Sequence, residues 1–327
     1  MTGRATTRRS PPRRETARPS AADRLSAFVT TAPRPDERST TRTVVQLAFA
    51  TEAWRLASVA ERLTDGEPSN ETVHEARLAL RAARSHLRTF ASILDVERGA
   101  ALATTLARLA NALGPRRELD VMIDCVDGYE ATLTTDVEAL SALSARLGGQ
   151  RPAIDEALIS TLSEAKPSAA LDALVDFALD LPIVDRAEEP AVVVLTDLAR
   201  RPWRKLARVA ALLDERSTMS DLHELRIRTK RARHAARAAR VVRPGAAAHV
   251  AALGRLSQTL GELNDATITT ERLSAAIAFD FDALAAYGAG LVVAGERQRM
   301  ATARAAWPGL WQQARRKRVR AWLDSSD

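Results

Sequence analysis

The chain has 327 residues, 46% hydrophobic and 27% charged, with 48 Lys and Arg against 41 Asp and Glu and a formal net charge of +7. That length favours two domains or two large halves, and the single cysteine, Cys125, excludes both an internal disulfide framework and a cysteine-based zinc site. Aromatic residues, at 4%, are too few for reading single strands by base stacking, no apolar run approaches a membrane span, and no apolar signal core marks the N-terminus.

The expected protein is therefore soluble and cytoplasmic, with an anionic partner and no membrane partner. Only Lys166, Lys205, Lys230 and Lys317 are lysines; the other 44 cations are arginines. A GC-rich genome produces such a bias by itself, so placement carries more information than number.

Residues 1–37 read as a disordered basic tail. They hold Pro11, Pro12, Pro19, Pro33 and Pro35 among scattered Arg, Ser and Thr. A solvated extension is the plain reading, and an auxiliary polyanion-binding arm is the sharper one. From residue 38 onward Ala, Leu, Glu and Arg dominate, and apolar residues recur at three- and four-residue spacing, as in Leu47, Trp54 and Leu63.

The later prolines, from Pro68 to Pro308, fall where helices are expected to start or stop, and Pro202 predicts a kink or break within 190–214. Ala191–Leu195 is the best strand candidate, yet it runs straight into a helical pattern. The fold class expected is all-α, with helices packed as bundles.

The chain also repeats itself. Residues 73–90 read VHEARLALRAARSHLRTF, and residues 222–239 read LHELRIRTKRARHAARAA. Counted from His74 and His223, cations follow at +3, +7, +10 and +14 in both copies. They are Arg77, Arg81, Arg84 and Arg88 in the first, and Arg226, Lys230, Arg233 and Arg237 in the second.

On a helix these positions fall at about 300°, 340°, 280° and 320° from the histidine, a stripe about 80° wide and ~21 Å long. His234, at about 20°, joins the second stripe, while His86, at about 120°, lies off the first. Like charges at this spacing repel, and no acidic residue lies within either stripe to offset them. A purely structural helix would alternate signs, so an external anion is the simplest supplier of the missing charge.

The repeat continues as RLANALGPRRELDV (108–121) and RLSQTLGELNDATI (255–268). Arg108 matches Arg255, Leu113-Gly114 matches Leu260-Gly261, and Arg117-Glu118 matches Asn264-Asp265. Each Leu-Gly pair is expected to end one helix and turn into the next. A duplicated unit follows, with halves at 38–185 and 186–327, each like a four-helix bundle and related by a pseudo-two-fold axis. Packing the halves together would place the stripes on a common basic groove or face.

The run His74-x-x-Arg77-x-x-x-Arg81-x-x-Arg84 followed by Leu113-Gly114-Pro115-Arg116-Arg117-Glu118-Leu119-Asp120, together with its second copy, resembles the CHAD family (conserved histidine α-helical domain). The likeness covers roughly residues 38–327. It implies two four-helix bundles with a basic surface or channel, binding of inorganic polyphosphate and, in some members, association with polyphosphate granules. Members are often fused to a triphosphate tunnel domain marked by an E-x-E-x-K run; no such run occurs here, so that hydrolase is not expected in this chain.

Arginine suits polyphosphate, because a planar guanidinium binds two phosphate oxygens and does not deprotonate. The candidate binding residues are the eight stripe cations with His74, His223 and His234, and in second rank Arg108, Arg117 and Arg255. A lone helical histidine is ordinarily a surface or core residue; its place at the head of both stripes argues for a role. Neighbouring arginines should lower its pKa, and a bound phosphate should raise it again.

Glu118, Asp120 and Asp265 read as partners for arginines rather than as a metal or catalytic site, and no cofactor or metal is expected. Arg200, Arg201, Arg204, Lys205 and Arg208 form a solvated face or a flank of the groove. Trp203, Trp307, Trp311 and Trp322 read as core anchors. The expected function is non-enzymatic polyphosphate binding. The alternatives are a nucleic-acid-binding helical module, a histidine phosphotransfer bundle and a polyphosphate-metabolising enzyme.

Overall fold

The computed structural model describes residues 21–32, 34–63, 65, 68–214, 216–277 and 281–324. The helices are α1 (Ala21–Thr31), α2 (Thr41–Ala60), α3 (Asn70–Phe90), α4 (Val96–Ala112), α5 (Gly114–Glu130), α6 (Val137–Gly148) and α7 (Arg151–Ala165). They continue as α8 (Pro167–Leu179), α9 (Ala191–Ala210), α10 (Met219–Arg240), α11 (Ala247–Ile277), α12 (Ala283–Ala314) and α13 (Lys317–Arg320). The fold is all-α; among the described residues the only extended pairings are isolated bridges, Thr40 with Pro190 and Leu94 with Ile183.

Short polar side chains set the helix starts. Ser69 accepts the N–H of Thr72 to open α3, Asp95 accepts that of Arg98 to open α4, and Asp282 accepts that of Ala285 to open α12. Thr218 and Asp221 form a reciprocal capping box at α10. Each such cap contributes about 1 kcal/mol. Pro115, Pro152 and Pro167 lie in the first turns of α5, α7 and α8, where a missing N–H costs nothing.

Helices α2, α3, α4 and α8 pack around one another, with Phe49 edge-on to Phe90 and Phe177 at the centre. Helices α9, α10, α11 and α12 form a second set, where Trp203 and Trp311 meet and Trp322 donates to His249. Trp307, Trp311 and Trp322 are buried, and Trp203 is half-buried. Contacts of α2 with α9 and of α3 with α10 join the sets, so one apolar core runs through both. A smaller core gathers Leu119, Val126, Leu140 and Leu143 against Leu273 and Val292. Through it α5 and α6 leave the first set and pack on α11 and α12, a crossing that periodicity alone cannot reveal. Gly288 permits the close approach of α6 and α12, since a Cβ there would collide with the Ala139 carbonyl oxygen.

Four expectations change. Residues 21–31, within the segment read as a tail, form α1, whose Leu25 is fully buried and which packs on α2 and α8; residues 1–20 lie outside the described residues. Of the kink or break expected at Pro202 the break does not occur, and Pro308 does not end α12: both helices run through their prolines. Packing of Leu206, Trp307 and Trp311 into the core holds the flanking turns in place. Finally, Leu113-Gly114 is the junction of α4 and α5, but Leu260-Gly261 lies inside the continuous helix α11. The second copy thus keeps its Leu-Gly pair without the turn.

Candidate functional site

Helix α3 buries Val73, Ala76, Leu80, Ala83 and Leu87, and α10 buries Leu222, Leu225, Ala232, Ala235 and Ala239. These apolar faces fix the rotation of both helices and turn the charged stripes away from the core. Because α3 and α10 are in contact, the stripes run side by side along the seam. Arg81 lies close enough to Arg226 and Lys230 to act electrostatically on both, and Arg88 likewise feels Arg231 across the seam.

Several arginines off the stripes are matched by carboxylates: Arg24 with Asp176 at 3.2 Å, Arg42 with Glu188 at 3.2 Å, Arg98 with Asp180 at 3.1 Å, Arg272 with Glu118 at 2.6 Å. Among the described residues, Arg81, Arg84, Arg88, Lys230, Arg233 and Arg237 have no carboxylate within 4.0 Å. Arg77 donates to the Ala110 carbonyl in the last turn of α4 at 3.1 Å, where a cation suits the helix dipole. Arg226 reaches Asp265 only at 4.0 Å, and its buried Nε has no hydrogen-bond partner. Arg233 lies beside Gly254 of α11.

Every pKa shift on the two stripes is downward. Burial comes first for Arg77, Arg88, Arg226 and Arg233, followed by neighbouring cations for three of them; for Arg226 the partly offsetting pull of Asp265 precedes the push of Arg81. The Lys230 ammonium is pushed down to about 8 by burial, then by Arg226 and Arg81. Burial, Arg117 and Arg81 hold the His74 imidazole below its ordinary value. Positive charge is being held where the protein itself disfavours it, and an arriving anion would relieve that cost.

The segments after the Leu-Gly pairs come back to the stripes. His223 Nδ1–H donates to Asn264 Oδ1 at 2.9 Å, and Asp265 faces Arg226. In the first copy Arg117 acts on His74 and Glu118 on Arg77, while Arg117 also meets Asp124 at 3.5 Å. Asp120 is fully buried against Arg116, which also donates to Asp155 at 2.5 Å and to Asn70 at 2.6 Å. This buried network anchors the start of α5 to α7 and to the first turn of α3, and so positions Arg117 beside His74.

Beside the seam, α3, α9 and α10 enclose a cleft of about 760 Å³. Arg81, Arg88, Lys230 and His234 of the expected set line it. Arg201, Lys205 and Arg231 line it too; the sequence left the first two as a solvated face or a flank of the groove, and Arg231 lies outside the five-residue stripe counted from His223. The i,i+4 pair Arg201 and Lys205 on an exposed face is the signal that pointed to them.

His234 lines the cleft, and burial, then His86, Arg233, Arg237 and Arg88, push its imidazole down to about 4, so near neutral pH it meets an anion as an N–H donor rather than as a cation. His86, off the stripe, stacks on Phe90 and sits 3.8 Å from Glu52. Arg108 is exposed on α4, and Arg255 is exposed on α11, where it donates to Gln313 at 3.3 Å; neither lines the cleft.

Residues 45–274 match the family model for the CHAD domain. The chain belongs to the CHAD domain family. PptA from Streptomyces chartreusis has a similar structure, with a TM-score of 0.63 at 20% identity, covering 84% of this chain and 100% of that one. The CHAD domain from the plant Ricinus communis gives a TM-score of 0.62 at 19% identity, covering 92% of this chain and 97% of that one. At these identities the likeness is one of fold. A comparison with curated proteins finds no match. Among the described residues of this CHAD domain, no helix is long and apolar enough to cross a membrane.

Proposed function

We propose that this CHAD domain binds inorganic polyphosphate along the paired stripes of α3 and α10, as a binding protein rather than an enzyme. The observation that carries the reading is the concentration of unmatched charge: among the described residues six stripe cations on two contacting helices have no carboxylate within 4.0 Å, and Arg201, Lys205 and Arg231 at the cleft beside them have none either. A phosphate chain supplies negative charge at close intervals and needs no base-reading groups. Cations one helical turn apart can contact successive phosphates, and release of counterions supplies much of the affinity. Such binding would also recruit the protein to polyphosphate granules. The carboxylates Glu118, Asp120 and Asp265 each face an arginine, which supports a positioning rather than a catalytic role.

The test is competition. Labelled long-chain polyphosphate should be retained in the presence of a large excess of duplex DNA or single-stranded RNA, and displaced by unlabelled polyphosphate. Displacement by either nucleic acid at equal phosphate concentration would favour the nucleic-acid reading instead.

A further inference from the structure

We propose that the cleft between α3, α9 and α10 is a binding site for a nucleoside polyphosphate, a ligand class distinct from the long phosphate chain. The cleft is lined by two kinds of side chain. Cations come from three helices: Arg88 of α3, Arg201 and Lys205 of α9, Lys230 and Arg231 of α10. Apolar groups are interleaved with them on the same faces: Leu198 and Pro202 of α9, Ile227 of α10 and Ala91 at the end of α3.

A bare phosphate chain gains nothing from the apolar part of this lining. Burying that apolar surface stabilises only a ligand with an apolar, flat portion of its own. A nucleoside polyphosphate joins both parts within one compact molecule, and about 760 Å³ is the size of a small-molecule pocket. The planar guanidinium groups interleaved with the apolar side chains can stack on a base as well as bind phosphate oxygens.

The one acidic residue of the cleft does not oppose an anion. Asp197 is held by Arg186 at 3.1 Å and by Arg200, so its charge is already offset. Arg201, Lys205 and Arg231 have no carboxylate within 4.0 Å among the described residues. The inference goes beyond the polyphosphate reading, although the two ligands share Arg81, Arg88 and Lys230 and are expected to compete.

The experiment compares adenosine triphosphate with inorganic tripolyphosphate, which carries a similar charge but no base, by titration calorimetry on the full chain. Adenosine triphosphate is expected to bind at least about tenfold more tightly, the increment of burying one flat apolar group. Ile227→Ser is expected to remove most of that preference and leave long-chain polyphosphate binding within about twofold, since it alters apolar contact and not charge. The wild-type comparison stands however the variant folds. Equal affinity for the two ligands, or a preference unchanged in a folded Ile227→Ser protein, overturns the proposal. Loss of long-chain binding alone, with the nucleotide preference intact, would overturn the polyphosphate reading and leave this one standing.

Discussion

Lys230 offers a sharp test, because it is the one stripe cation other than histidine able to lose its charge in a workable pH range. Burial, Arg226 and Arg81 bring its pKa to about 8 in the free protein. A bound phosphate chain that neutralises those arginines should return it toward the ordinary lysine value near ~10.4. The sign follows: binding raises the pKa, so the contribution to affinity is complete below pH 8 and is lost as pH rises above it. Between pH 7 and pH 9 the linkage weakens binding by about tenfold, or about 1.4 kcal/mol. Lys230→Arg keeps its charge throughout and should lose only what titrates elsewhere. The assay is titration with long-chain polyphosphate, whose interior phosphates do not titrate here, at constant ionic strength and at pH 7, 8 and 9. Parallel pH profiles for wild type and Lys230→Arg would refute the placement of this ammonium beside the ligand.

Other expectations follow from the same geometry. His74 is held below its ordinary value by burial, Arg117 and Arg81, so affinity should rise by about two- to fivefold from pH 7 to pH 5.5, and His74→Gln should flatten that rise in the same titration. Arg116→Met leaves the buried Asp155 without its cation and Asp120 with only Arg151 at 3.4 Å, and should cost about 3–5 kcal/mol in urea denaturation; a loss below about 1 kcal/mol would contradict the buried network. Gly288→Ala drives a methyl into the Ala139 carbonyl and should cost about 1–3 kcal/mol. Gly290→Ala on the same helix meets open space and should stabilise by about 0.5–1 kcal/mol, so thermal melting of the pair separates close packing from helix propensity.

Much of this molecule is legible in its sequence, and the remainder fails for identifiable reasons. Three- and four-residue apolar spacing yields the all-α class directly, and the offsets from His74 and His223 yield the stripes, because both depend only on the turn of a single helix. Which helices become neighbours depends on complementary faces. The small side chains Ala232, Ala235 and Ala239 help bring α10 into the core beside α3, and nothing in one strip of sequence names that partner. Arg231, Arg201 and Lys205 belong to the cleft only because α9 packs where it does. His234 satisfies the angular criterion and lines the cleft, yet partial burial among neighbouring cations lowers its pKa, which spacing on one helix does not reveal. In α1, Leu25, Phe28 and Val29 follow helical spacing, but the basic, proline-rich composition around them masks it. Pro202 and Pro308 mislead because tertiary packing tolerates a lost backbone hydrogen bond.

The central claim is that the unmatched cations, rather than positive charge in general, hold the polyanion. Two variants of identical net charge isolate it. One replaces Arg84, Arg88, Arg233 and Arg237 by Gln; the other replaces Arg24, Arg42, Arg98 and Arg320, each already paired with a carboxylate. Titrated with long-chain polyphosphate across a salt series, the stripe variant should bind at least about a hundredfold more weakly, with its log–log salt slope reduced by about 3, while the paired-arginine variant stays close to wild type. Equal losses in the two variants, or no loss in the first, would contradict the account.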